Sequence, residues 1–272
     1  MVNSTDATTV YVNPVTGSDN NNGSRLSPFK TLTHTLNTIR PPAIVQLADG
    51  LYHAANDELF PLIVPSGVWV VGNEATKGQG IAIEGSGDYQ TKNFGLQNIT
   101  VILADDAQLM GVTVTNPINK GTGIWIDSTS PTVANNTFIK CRREGIFISG
   151  NAKPAILDNV FVQNASAGLV MARNSKGEIL RNVMQRNSIG IAMSDFSAPL
   201  VANNKLSENR IDMALSREAR PVLRYNLFAD NSSGGLLLNG SSTPDFGSSQ
   251  DPAGNIFRDN NDYDVQNAKS IN

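Results

Sequence analysis

The hydrophobic pattern of this chain repeats at a nearly constant interval. Gly123-Ile124-Trp125-Ile126 recurs as Gly145-Ile146-Phe147-Ile148, Gly168-Leu169-Val170-Met171, Gly190-Ile191-Ala192-Met193 and Asp212-Met213-Ala214-Leu215, at spacings of 22, 23, 22 and 22 residues. Apolar residues at alternate positions predict short strands with one face turned inward. Between the copies runs a second apolar series: Phe138, Phe161, Met184, Leu206, Phe228 and Phe257. It is flanked by Asn136, Asn159, Asn182, Asn204, Asn226 and Asn255 on one side, and by Cys141, Asn164, Asn187, Asn209, Asn231 and Asn260 on the other. A third inward series, Val133, Ile156, Ile179, Val201 and Leu223, follows Pro131, Pro154, Gly177, Pro199 and Pro221, turn formers that separate one strand from the next.

Three short strands per unit predict an all-β, right-handed parallel β-helix, a solenoid of about 22 residues per turn with equivalent strands stacked ~4.8 Å apart. A leucine-rich repeat of similar length needs a helical segment in each unit, and the Asn-rich, Pro-punctuated stretches supply no helical period. The asparagines then stack as ladders that bond one another and the bends, which makes them structural. Cys141 takes an asparagine's place as a small buried side chain. Upstream the pattern continues more weakly through Val68-Trp69-Val70, Ile81-Ala82-Ile83, Val101, Leu103 and the stretch Leu109 to Val114, so eight to ten turns are expected. Pro28-Phe29-Lys30 opens a helical period through Leu32, Leu36 and Ile39 that Pro41-Pro42 stops. This predicts a short N-terminal capping helix over the unpaired edges of the first turn. Asn255 lies 29 residues after Asn226, so 241–251 reads as an insertion. The expected organisation is one β-helix domain over 1–272: an N-terminal strand and capping helix (1–43), the turns (44–240), and an atypical last turn and tail (241–272).

Composition narrows the function classes. The 31 Asn outnumber the 21 Lys and Arg or the 24 Asp and Glu, which argues against a helical bundle. A formal charge of −3 leaves no electrostatic footprint for nucleic acid, and no apolar run approaches the ~18 residues of a membrane span. With a single cysteine and two histidines, His34 and His53, there is no disulfide framework and no Cys-rich zinc site. Met1-Val2-Asn3-Ser4-Thr5 lacks the basic and apolar regions of a signal peptide, which fits a cytoplasmic protein or a trimmed exported chain.

Tyr11-Val12-Asn13, Gly17 to Ser24 and Pro28-Phe29-Lys30-Thr31-Leu32, together with Phe60-Pro61-Leu62-Ile63-Val64-Pro65-Ser66-Gly67-Val68, resemble the opening of extracellular β-helix proteins of the pectate-lyase-like superfamily. The likeness, which covers nearly the whole chain, is to a family of β-helix domains of unknown function common in cyanobacteria. It implies the β-helix fold and an extracytoplasmic location (periplasmic, cell surface or secreted). The superfamily mixes lyases, hydrolases, epimerases and binding proteins, so the likeness leaves activity open.

Glycoside hydrolysis takes two carboxyl groups. The outward column of the strongest strand reads Trp125, Phe147, Val170, Ala192, Ala214 and Leu237, and the next one Asp127, Ser149, Ala172, Ser194, Ser216 and Asn239. That is one carboxylate in twelve positions. Trp125-Ile126-Asp127 and Arg220-Pro221-Val222-Leu223-Arg224 echo pectate-lyase motifs, but both fall on repeat columns. Asp105-Asp106 reads as a solvated bend, with a ligand or catalytic role as the alternative. The Asp19–Gly23 loop, whose oxygen ligands leave calcium open but lack the EF-hand order, reads as a turn before the capping helix. No metal or cofactor is indicated. The candidate ligand-binding residues are Trp125, Phe147 and Asp127. Three coverings of the outward aromatics stay open: the chain's own loop or tail, a protein partner including a second copy, or a sugar. The expected function is binding or scaffolding of envelope or matrix polysaccharide without strong catalysis. The alternatives are a polysaccharide lyase or glycoside hydrolase, and a structural or oligomeric surface protein.

Overall fold

The computed structural model describes residues 7–268; Met1–Thr5 and the end of the tail lie outside them. The chain coils into a right-handed parallel β-helix whose turns build three sheets. Two sheets have nine parallel strands. The third has ten, one of which, Gly87–Thr91, pairs antiparallel with Gly95–Leu103. Register follows the repeat: Ile124 pairs with Ile146, Ile146 with Leu169, Leu169 with Ile191, and Ile191 with Met213. The inward series of all three sheets merge into one core running the length of the coil, with Phe138 and Phe161 stacked at 4.9 Å between ring centroids. Leu109 to Val114, which reads as one strand in the sequence, is two, Gln108–Met110 and Thr113–Thr115, parted by a bend at Gly111 with φ +67°.

The bends are held by side-chain amides. Asn159 Oδ1 accepts from the Asn136 backbone N–H at 2.9 Å and from Asn136 Nδ2 at 3.1 Å, while Asn159 Nδ2 donates to the Val133 carbonyl at 2.9 Å. The same triplet recurs at Asn182, Asn204 and Asn226. The second column runs from Cys141, whose N–H donates to Asn164 Oδ1 at 3.1 Å, through Asn187 and Asn209. Buried amide groups need partners, and here each asparagine supplies them to the turn below. Burial pushes the Cys141 thiol up to about 12, so it stays protonated and inert.

At the N-terminal end the helix Leu32–Thr38 sets Leu32 and Leu36 into the core. Its first amides are clamped from outside the helix: Glu58 accepts from the N–H groups of Leu32 at 2.7 Å and Thr33 at 2.8 Å. Asp19 accepts from the Lys30 and Thr31 N–H groups and from Thr31 Oγ1, which commits its carboxylate to the turn before the helix. Partial burial would raise its pKa, but the Thr31 and Lys30 bonds outweigh burial and hold it below the usual range.

Candidate functional site

The outward aromatics are covered by the chain itself. Trp125 and Phe147 stack at 4.3 Å between centroids, and Phe94 meets both edge-on, at 5.6 Å and 5.1 Å. Trp125 is 2% exposed and Phe147 8%. Phe94 sits at the tip of the hairpin made by Gly87–Thr91 and Gly95–Leu103, where Thr91 Oγ1 accepts from the Phe94 N–H at 3.0 Å and donates to the Gly95 carbonyl at 2.8 Å. A brace holds the hairpin down. Arg143 donates to Gln97 Oε1 at 2.8 Å and to the buried Glu144, which also accepts from Thr122 Oγ1 at 2.9 Å. The Arg173 guanidinium lies 5.4 Å from the Phe94 ring centre, a cation–π contact. Trp125 and Phe147 are therefore no open platform for a sugar, and this pair offers no bare apolar face to a second copy.

Replacing Phe94 by alanine is expected to uncover Trp125: its fluorescence should shift to the red against the constant background of Trp69, and stability should fall by about 2–3 kcal/mol. Unshifted emission would show that the hairpin does not hold this cover in solution.

Asp127 is the candidate that borders open space. Beside the covered pair lies a cleft of about 240 Å³, lined by Tyr89, Thr91 and Lys92 of the hairpin and its turn, Ile63, Ile102, Trp125, Asp127 and Thr129. Tyr89 and Lys92 are exposed and Asp127 half-buried, so an amine, a phenol and one carboxylate meet above apolar walls. Sequence reasoning missed Tyr89, Lys92 and Phe94 because the hairpin lies off the repeat. Its signal was length: Leu62 pairs with Val101, an interval of 101 − 62 = 39 residues where about 22 suffice for a turn.

The other candidates have structural occupations. Asp105 accepts from the Ser130 N–H at 2.7 Å and closes a bend. Arg220 pairs with Glu218, and Arg224 reaches Asp245 and Asp251 and so holds the insertion after 241. His34 packs on Phe29, while His53 precedes the short turn Ala54–Asn56. Among the described residues no three His, Cys, Asp or Glu converge as metal ligands, and no helix is long and apolar enough to cross a membrane.

The family described as "Protein of unknown function (DUF1565)" matches residues 15–272. Among solved structures, the pectate lyase Pel9A is similar at a TM-score of 0.70 and 14% identity, over 97% of this chain and 78% of its own. XylC in complex with xylose is similar at 0.71 and 12%, over 96% and 67%. At such identities the likeness shows the fold. No curated protein matches the chain in sequence.

Proposed function

The chain belongs to the DUF1565 family, and from that premise we propose that it binds a polysaccharide segment in the Tyr89–Lys92–Asp127 cleft without breaking it. The observation that carries this reading is the make-up of the cleft. Ile63, Ile102 and the Tyr89 ring offer apolar surface for the carbon face of a pyranose, while Lys92, Asp127 and Thr129 offer charge and hydrogen bonds at its rim. Asp127 is the one carboxylate lining the cleft, and hydrolysis takes two. The fold is shared with a pectate lyase and with a protein that holds xylose, which fits a sugar ligand. The polymer would belong to the cell envelope or matrix, and the protein would lie outside the cytoplasm, as its opening segment implies by resemblance.

A glycan array should give a saccharide hit for the wild type. Lys92→Gln and Tyr89→Ala are each expected to weaken it about tenfold with an unchanged melting temperature, the loss of one good contact. Ultraviolet absorbance from unsaturated sugar products, appearing with wild type and lost with Lys92→Gln, would instead support the lyase alternative.

A further inference from the structure

Three turns beyond the cleft, on the same edge of the coil, Phe196 is 55% exposed. A lone surface apolar residue is ordinary. This one lines an open notch of about 450 Å³ with Asn174, Lys176, Ala198, Glu218 and Arg220. The backbone bonds of the bends show how the notch is cut. The N–H of Lys153 bonds the Thr129 carbonyl, that of Lys176 bonds Ala152, that of Ala198 bonds Ser175 and that of Arg220 bonds Ser197. Ser130, Lys153, Lys176, Ala198 and Arg220 thus stack in one column, one residue per turn. From Lys153 onward bases occupy three of four successive positions, and at the remaining one Ala198 leaves the gap. Lys176 and Arg220 flank the gap two rungs apart, about 10 Å, with the Phe196 ring alongside.

Charge picks the occupant. The protein as a whole carries −3, yet this edge presents Lys153 and Lys176, both exposed and with no acidic partner among the described residues. Arg220 is shared with Glu218 at 3.0 Å, and in the neighbouring column Arg217 pairs with Asp195. The unpaired cations therefore lie on the side of the notch that leads back to the cleft. Thr129, at the rim of the cleft, stands three rungs from Phe196, about 14 Å along the axis, the reach of a short oligosaccharide laid lengthwise. We propose that this edge is a second subsite for an acidic polysaccharide. A pyranose ring lies on Phe196, its carboxylate or sulfate is held by Lys176 and Arg220, and the chain passes over Lys153 toward the cleft. The proposal rests on the polysaccharide reading of the cleft and adds the charge of the polymer and the direction in which it lies.

The test is a titration of the full chain with hexameric oligouronates, a neutral cello-oligosaccharide of equal length and polyglutamate. Phe196→Ala, the double variant Lys176→Gln/Arg220→Gln, and Lys92→Gln are compared with wild type, each checked for an unchanged melting temperature. The expected result is that an oligouronate binds and the neutral sugar does not. Phe196→Ala and the double variant should each weaken binding about tenfold or more, with a salt dependence that flattens in the double variant. Weakening by Lys92→Gln alone would overturn the subsite and leave the cleft reading standing. Weakening by the Phe196 and lysine–arginine variants alone would uphold the subsite and remove the cleft. Preference for the neutral sugar, equal binding of polyglutamate, or no saccharide binding at all would overturn the inference.

Discussion

Replacing Asn182 by leucine is expected to lower stability by about 4 kcal/mol, far beyond the effect of an ordinary surface change. The two side chains share their branching and number of heavy atoms and leucine is the larger, so no cavity is opened. What is lost is polar. Asn182 Oδ1 accepts from the Asn159 N–H at 2.9 Å and from Asn159 Nδ2 at 3.1 Å, while Asn182 Nδ2 donates to the Ile156 carbonyl at 2.9 Å and to Asn204 Oδ1 at 3.0 Å. Leucine strands the Asn159 N–H without a partner, at about 1–3 kcal/mol. It also takes one bond each, at ~1 kcal/mol, from the Ile156 carbonyl, from Asn159 Nδ2, which keeps the Val133 carbonyl, and from Asn204 Oδ1, which keeps the Asn182 N–H; the apolar surface it adds offsets part of this. Urea unfolding followed by circular dichroism measures the loss. A change under about 1 kcal/mol would mean that the bends hold themselves and that the amides merely decorate them.

The second large effect is one of pH, and it comes from Asp212. In the repeat its position is glycine, at 123, 145, 168, 190 and 235. Here a carboxylate is buried between two members of the asparagine column, accepting from Asn209 Nδ2 at 2.7 Å and from Asn231 Nδ2. Burial pushes its pKa up to about 7, against the lowering effect of those two bonds, with nearby Asp230 adding to the rise. The folded protein therefore holds a proton that the unfolded chain has released. The contribution to stability is fully present below the unfolded value of 3.8, declines across the window above it, and is gone once the pH passes about 7. The whole span is on the order of 4 kcal/mol. Asp212→Gly returns the turn to the repeat and lets Asn209 Nδ2 bond Asn231 Oδ1, as Asn187 Nδ2 bonds Asn209 Oδ1 one turn below. The variant should melt above wild type at pH 8, and the gap should close toward pH 4. Parallel melting curves across that range would show that Asp212 does not titrate there.

These two residues also show what the sequence made readable. Asn182 and its column could be read because a solenoid puts like on like: an interval of 22 or 23 residues, applied four times, predicts each partner from Asn136 to Asn226. Asp212 was visible as a departure from glycine, but its consequence needed the third dimension, since Asn209 and Asn231 meet it only once the coil closes. The candidate site fared worse. Trp125, Phe147 and Asp127 were found because they sit on repeat columns. Tyr89, Lys92 and Phe94 were not, because they belong to the hairpin that departs from them. The outward direction of the aromatics followed from strand alternation, whereas their cover could not, since periodicity says nothing about a segment that lacks it. The basic edge was likewise hidden: Lys153, Lys176 and Arg220 are 23 and 44 residues apart, and they form a row only after the register between turns is known.

That register makes the coil a ruler. Each turn between the cleft and Phe196 begins and ends at the same point of the repeat, so whole turns are interchangeable parts. Excising residues 160–182 would join Asn159 to Val183, the residue that follows Asn182 in the same role, and would rejoin every amide to an equivalent partner. The coil would shorten by one rung, and the distance from Thr129 to Phe196 would drop by about 4.8 Å; Arg173 and Lys176 leave with the excised turn, and Lys153 moves into the place of Lys176 beside Ala198. Separation along this edge is quantised in whole turns. Duplication or loss of a unit changes the span offered to a linear polymer in integer steps, while Thr129 at one end and Phe196 with Arg220 at the other keep their places in the repeat.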